Sequence, residues 1–278
     1  MKYTKISIIF KSEEKPPYFI GSQLRGALGY CLKKVTCINP SFKCEDCFAT
    51  NNCLYYEFYE QKDTFHKYRF DFELGKDYYD FNFYLFDDSA QKLPYVISAF
   101  HMMLTQNGLG KNRTTYKNFD MYVNDKLCIE NGKIKLPKDF IKTFQIDKIC
   151  QDITLRFQTP LRLKKNNSFI RIADIELSDL VNSIYQRQMK ILGRGNKKFP
   201  YEIQGEIINK NLKFKELTRL SNRQKTTMNL GGLVGDIKIK NLNKESYEVL
   251  KVGELLGVGK QTVFGLGKIQ ILEGGLSE

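Results

Sequence analysis

Four cysteines stand close together near the start of the chain, at Cys37, Cys44, Cys47 and Cys53. Their spacing is C-x6-C-x2-C-x5-C, and the central CxxC lets two thiolates reach one ion while the flanking pair completes a tetrahedron. A structural zinc is the first reading. An iron–sulfur cluster on the same four thiolates is the alternative, and unligated thiols are the third. Either metal would fold a turn-rich stretch that lacks a core of its own. With four protein ligands and no open position it would stay outside catalysis. Cys31, Cys128 and Cys150 read as isolated apolar-pattern residues.

Proton transfer near neutral pH points to histidine, and the chain has two, His66 and His101. His66 lies in TFHKYRF beside Lys67 and Arg69, a setting that suits work next to a bound phosphate. His101 sits beside Phe100 in a helical pattern, where a structural role competes with a catalytic one. The third chemical signal is near the C-terminus, in GELLGVGKQTVFGLGK at 253–268. Gly257, Gly259, Gly265 and Gly267 alternate with Lys260 and Lys268. Glycine lets backbone N–H groups approach an anion, and a purely structural tight turn is the competing reading. The segment is not a Walker A loop, because Gln261 follows Lys260 where Ser or Thr is required. It also lacks the third glycine of a dinucleotide fingerprint.

Charge supports an anionic partner. Lys and Arg total 44 against 31 Asp and Glu, giving a net charge of +13 and a pI near 9.2. Residues 151–278 carry 22 basic and 13 acidic side chains, so most of the excess lies in the second half. Arg162, Lys164, Lys165, Arg171, Arg187, Arg194, Lys197 and Lys198 form a long basic stretch there. Such a footprint suits a phosphate backbone and is salt-sensitive. Tyrosine and phenylalanine number 16 and 20, rings that stack on unpaired bases as readily as they fill a core. No export signal or membrane-length apolar run is read, so a cytoplasmic location is expected.

The elements that must position these residues follow from hydrophobic periodicity. Strands are expected at 3–10, 66–74, 79–86 and within 114–130, with helices at 21–35 and 91–105. A second series has strands at 151–158, 202–217, 226–240 and 263–272, with helices at 174–192 and 246–257. Each series reads strand, helix, strand, strand, helix, strand. That order predicts an α+β protein with tandem ferredoxin-like, RRM-like domains on antiparallel sheets. The expected domains are 1–148, with a cysteine-rich insertion at 36–62, and 149–278, ending in the glycine-rich loop.

Five stretches, in order, resemble the CRISPR repeat-processing endoribonucleases of the RAMP superfamily, in particular the branch with a cysteine cluster near the N-terminus. They are SQLRGALGY at 22–30, PYVISAFHMMLTQNGLGKNR at 94–113, TPLRLKK at 159–165, SNRQKTTMNLGGLVG at 221–235 and GELLGVGKQTVFGLGKIQI at 253–271. The resemblance implies binding of CRISPR repeat RNA and metal-independent cutting by the 2′-hydroxyl, leaving a cyclic phosphate. A non-cleaving RNA-binding subunit of a CRISPR complex is the alternative. It also implies hand-over of guides to an interference complex. By location, Tyr30 matches the tyrosine that family members place in the first helix. Where their histidine follows, this chain has the cysteine insertion. RNA contacts are expected at Arg25, Lys111, Arg113, Arg162, Lys164, Arg223, Lys225, Lys260 and Lys268, with the four glycines of the C-terminal loop.

Overall fold

The computed structural model describes residues 1–273 except 63, 131–132, 166–167, 171–174 and 222–225. The chain divides into two compact units, Met1–Phe144 and Gln145–Glu278.

The first unit runs β1 (Lys2–Phe10), α1 (Gly21–Thr36), β2 (Tyr68–Phe72), β3 (Tyr79–Phe86), α2 (Leu93–Met102), β4 (Asp120–Val123) and β5 (Lys126–Leu127). Three two-residue strands follow, β6 (Ile129–Glu130), β7 (Lys133–Ile134) and β8 (Lys142–Thr143). The main sheet has the order β2-β3-β1-β4-β5, all antiparallel, with β8 added to β1. This is the ferredoxin-like arrangement. Strict alternation in β3 buries Tyr79, Phe81, Phe83 and Leu85 on the helix-covered face. Phe70, Phe81, Phe83 and Phe100 meet there at ring separations of 4.9–6.3 Å, mostly edge-on or tilted, the geometry that ring quadrupoles favour. Helix α1 adds Leu24, Leu28, Cys31 and Leu32 at helical spacing. It ends where Cys37 turns extended, with φ −77° and ψ 119°.

The second unit runs β9 (Ile153–Leu161), β10 (Lys164–Lys165), β11 (Ser168–Phe169), α3 (Leu177–Ile191) and β12 (Glu206–Lys215). It continues with β13 (Thr218–Ser221), β14 (Thr226–Asn229), β15 (Gly232–Lys240), α4 (Lys244–Leu256) and β16 (Ile269–Glu273). Its sheet order is β12-β15-β9-β16, antiparallel throughout, the same topology again. The expected strand 226–240 is divided in two. Its first part pairs with β13 as a separate hairpin inserted between β12 and β15. Leu155, Phe157, Ile237, Ile239, Ile269 and Ile271 face the helices. Helix α3 opens with a reciprocal cap between Glu176 and Asp179, and α4 with Asn243 accepting from Ser246 N. Gly253 lets α4 approach α3, because a Cβ there would lie 2.6 Å from Ile184.

The α1–β2 connection departs from the expectation of a stretch without a core. Leu54 and Phe58 are buried, and a π-turn at Tyr56–Glu60 carries Phe58 and Tyr59 inward. Among the described residues no helix is long and apolar enough to cross a membrane.

Candidate nucleic-acid interface

In the first unit, His66 sits just before β2, where the chain returns from the cysteine-rich connection. Its Nδ1 lies 3.0 Å from the Glu57 carbonyl oxygen. A carbonyl only accepts, so the contact assigns the proton to Nδ1 and makes Nε2 the proton-accepting atom of the neutral ring. The ring also packs 5.7 Å from that of Tyr68. His66 lines a polar cavity of about 480 Å³ with Asn52, Tyr56, Glu57, Lys67 and Lys92. Burial pushes the Glu57 carboxyl above its ordinary value, against a hydrogen bond from Ser89 Oγ at 3.0 Å. Burial pulls on Lys67 in the opposite sense, but Asp88 at 2.7 Å and Asp87 at 3.7 Å hold its ammonium above the usual value. The cavity thus gathers a proton acceptor, a carboxyl and cations.

The other residues singled out in this unit are placed differently. Arg25 is turned inward as a framework group. Its Nε donates to Tyr68 Oη at 3.0 Å and its guanidinium lies 4.6 Å from the Tyr59 ring centroid. Tyr59 in turn donates to the Arg25 carbonyl at 2.9 Å. Arg25, expected as an RNA contact, thus bonds one tyrosine and packs on the ring of another inside this unit. Tyr30 is 48% exposed on α1, with the Lys34 ammonium 4.8 Å from its ring. His101, at the end of α2, faces the Phe119 ring at 6.1 Å and does not line the His66 cavity. Lys111 and Arg113 stand exposed on the turn closed by the Leu109–Thr114 bridge. Gly108 is required there, since a Cβ would lie 2.0 Å from the Arg113 carbonyl oxygen.

Cys37, Cys44, Cys47 and Cys53 all line one cavity of about 260 Å³, and all four are free thiols. Among the described residues, no group of three or more His, Cys, Asp or Glu side chains is gathered closely enough to hold an ion. The tetrahedral zinc or iron–sulfur site expected from the spacing is therefore not assembled. Cys37 Sγ points to the Asn39 carbonyl at 3.7 Å, and the loop is tied by Asn39, which accepts from Ser41 and donates to the Lys43 carbonyl.

In the second unit the glycine-rich segment shows the tight-turn use of its glycines that competed with anion contact. Most of its N–H groups are used inside the fold. Val258 N donates to Gly267 O, Gly267 N to Pro160 O, and Lys260 N to Arg162 O. Gly259 N donates to Ser183 Oγ and Lys268 N to Thr159 Oγ1. The glycines permit close backbone approach. A Cβ on Gly259 would lie 2.4 Å from Arg162 O, and one on Gly267 1.9 Å from Val258 O, both at positive φ. Gly257 and Gly265 also hold positive φ and are buried. The segment reaches the surface mainly around Gly259, Lys260, Gln261 and Val263, with Glu254 and Lys268 half-buried.

Cations border that exposed part. Arg162 is tied to it through the Gly259 bridge and donates to Gly231 O at 2.7 Å. Its guanidinium lies 4.3 Å from the Phe169 ring, and Lys164 lies 5.1 Å from the same ring. Arg219 lies 4.4 Å from the Phe264 ring. Lys260 is exposed and Lys268 half-buried. Arg223 and Lys225 lie outside the described residues. Sequence reasoning missed Glu57, Lys92, Phe169, Arg219 and Thr159. The cation–ring pairs are made across strands and loops, so no sequence spacing marks them.

Comparison with known proteins adds to this geometry. Residues 155–269 match the family model described as CRISPR-associated endoribonuclease Cas6. Residues 1–126 match AF_1859_N, described as an N-terminal domain. An uncharacterized protein of Archaeoglobus fulgidus is 23% identical over 300 residues, covering 96% of each chain. Among solved structures, a Cas6 product complex has a TM-score of 0.57 at 15% identity, covering 98% of this chain and 100% of that one. Thermus thermophilus Cas6 has a TM-score of 0.51 at 16% identity, covering 98% of each chain. A Cas6-related protein from Pyrococcus furiosus has 0.50 at 12% identity, covering 99% of each. The second unit is thus matched by the Cas6 family model over most of its length, and the two units have the tandem ferredoxin-like fold of the solved Cas6 proteins.

Proposed function

We propose that this chain processes CRISPR repeat RNA as an endoribonuclease, cutting the precursor transcript within the repeat. The observation that carries the reading is the basic surface around Arg162, Lys164 and Lys260, which lies within the 155–269 stretch matched by the Cas6 family model. RNA is the polyanion that this surface meets, and the product guides pass to an interference complex.

The proposed chemistry is attack by the 2′-hydroxyl on the neighbouring phosphate, with no metal taking part. The P–O5′ bond breaks as the cyclic phosphate forms, so that reaction needs a proton acceptor at the 2′-hydroxyl, a proton donor to the 5′-oxygen that leaves as a hydroxyl, and cations at the phosphate. His66 is proposed as the acceptor through Nε2, in the polar cavity that also holds Lys67 and Lys92. The Glu57 carbonyl fixes the ring's tautomer. Tyr30 and His101 are secondary candidates, and neither lines this cavity.

Purified protein incubated with its own repeat RNA in a chelator tests the reading. The expected product is a single cut with a cyclic-phosphate end. His66→Ala is expected to slow cutting by roughly 100-fold or more while RNA affinity is kept. Tight binding without product would make the protein a non-cleaving RNA-binding subunit. Normal cutting by His66→Ala would remove His66 from the mechanism and leave the activity standing.

A further inference from the structure

Between α3 and β12 the chain runs through Gly193, Arg194, Gly195, Asn196, Lys197, Lys198, Phe199, Pro200 and Tyr201, with no acidic residue. Both ends of this stretch are fixed. At the start, Gly193 N donates to Lys190 O and Arg194 N to Met189 O, closing the end of α3. At the far end, Asn243 Nδ2 donates to Glu202 O at 2.9 Å, and Gln204 N donates to Ser246 Oγ at 3.2 Å, tying the chain to the start of α4. Apart from half-buried Phe199, every residue from Gly193 to Tyr201 is exposed.

Three rings stand in a file on this shelf. Tyr185 of α3 meets Phe199 edge-on at 5.3 Å, and Phe199 meets Tyr201 edge-on at 5.6 Å. Tyr201 at the end of the file is 63% exposed. Its ring is held by Phe199 yet leaves most of its surface to solvent. Arg194, Lys197 and Lys198 make no ion pair among the described residues. An anchored ring beside cations without acidic partners is the combination that holds an unpaired nucleotide. The base stacks on the ring and the phosphates meet the charges. A duplex would use the cations and leave the ring idle, and so would an acidic peptide.

We infer that residues 194–201 form a contact for unpaired RNA, with one base stacked on Tyr201. The inference rests on the RNA-processing reading and places a second contact away from the glycine-rich segment. Fluorescence anisotropy with two RNAs tests it: a blunt repeat hairpin, and the same hairpin with unpaired flanks. Tyr201→Ala is expected to weaken binding of the flanked RNA roughly 10-fold and to leave the blunt hairpin unchanged. Tyr201→Phe keeps the ring and is expected to bind like wild type. Replacing Lys197 and Lys198 by Gln is expected to lower the log–log salt slope for the flanked RNA by about 1.4. If wild type binds and cuts the flanked RNA and Tyr201→Ala binds it equally well, this inference is overturned while the proposed function stands. If wild type binds neither RNA, the proposed function fails and takes this inference with it.

Discussion

The glycine-rich segment at 253–268 and the cavity around His66 were both marked by residue type, yet the fold uses them in opposite ways. In the segment, backbone donors and glycines are turned inward. Val258, Gly259, Lys260, Gly267 and Lys268 all spend their N–H groups inside the fold, on the segment itself, on α3 or on the end of β9 and the turn after it. What reaches the surface is a short rim with lysine and arginine around it. In the cavity, the scaffold is built from rings and the polar groups face an open space. Tyr55, Tyr59, Tyr68 and Phe83 stack in sequence behind it, at 5.2–6.3 Å. A backbone can be costly to alter without touching ligand, while a cavity's polar groups can be altered with little cost to the fold.

Three experiments can break or sharpen that contrast. The largest effect is expected in the segment's packing. Gly267→Ala puts a Cβ against Val258 O at φ +69°, whereas Gly110→Ala in the first unit has nearly the same φ, +77°, and its nearest contact is an ordinary 3.6 Å. Urea unfolding should show a loss of roughly 3 kcal/mol for Gly267→Ala and about 1–2 kcal/mol for Gly110→Ala. Equal losses would mean that close approach is not what the segment's glycine provides. Next is the segment's surface. Lys260→Ala combined with Lys268→Ala should weaken RNA binding roughly 10-fold at physiological salt. Unchanged affinity would move the RNA contact off this rim.

The smallest effect is expected in the cavity. Burial holds the Glu57 carboxyl above its ordinary pKa, so the folded protein binds that proton more tightly than the unfolded chain. The resulting stabilisation is complete below the ordinary carboxylate range and is lost as pH rises through the raised value. Glu57→Gln cannot ionise. It should therefore gain stability over wild type at neutral pH, by less than ~1 kcal/mol because the side chain is partly exposed and screened. The gain should vanish in acid. A gain that stays constant with pH would show that the carboxyl is not held by burial.

Much of the architecture was legible in the residues. The alternation Tyr79, Phe81, Phe83, Leu85 gave β3 at its full extent, and apolar spacing placed all four helices within a few residues. The 226–240 stretch was harder, because the same β-forming composition runs through two strands that pair with different partners. The cysteines were legible as a group and share one cavity, but spacing along a turn-rich chain does not fix where the thiols point. The partners of Arg25 were not legible, because a helical position says little about which aromatic groups from distant turns will reach it.

By itself the sequence determined the periodic elements, their doubled order and the basic balance, since these depend on local spacing and composition. The tertiary structure alone decided which of the marked residues face solvent and which face the core. Hydrogen-bond partners such as Arg162 for Lys260, Thr159 for Lys268 and Glu57 for His66 come from different elements. A buried N–H must find some acceptor, and which one it finds is settled only when strands and loops are packed together.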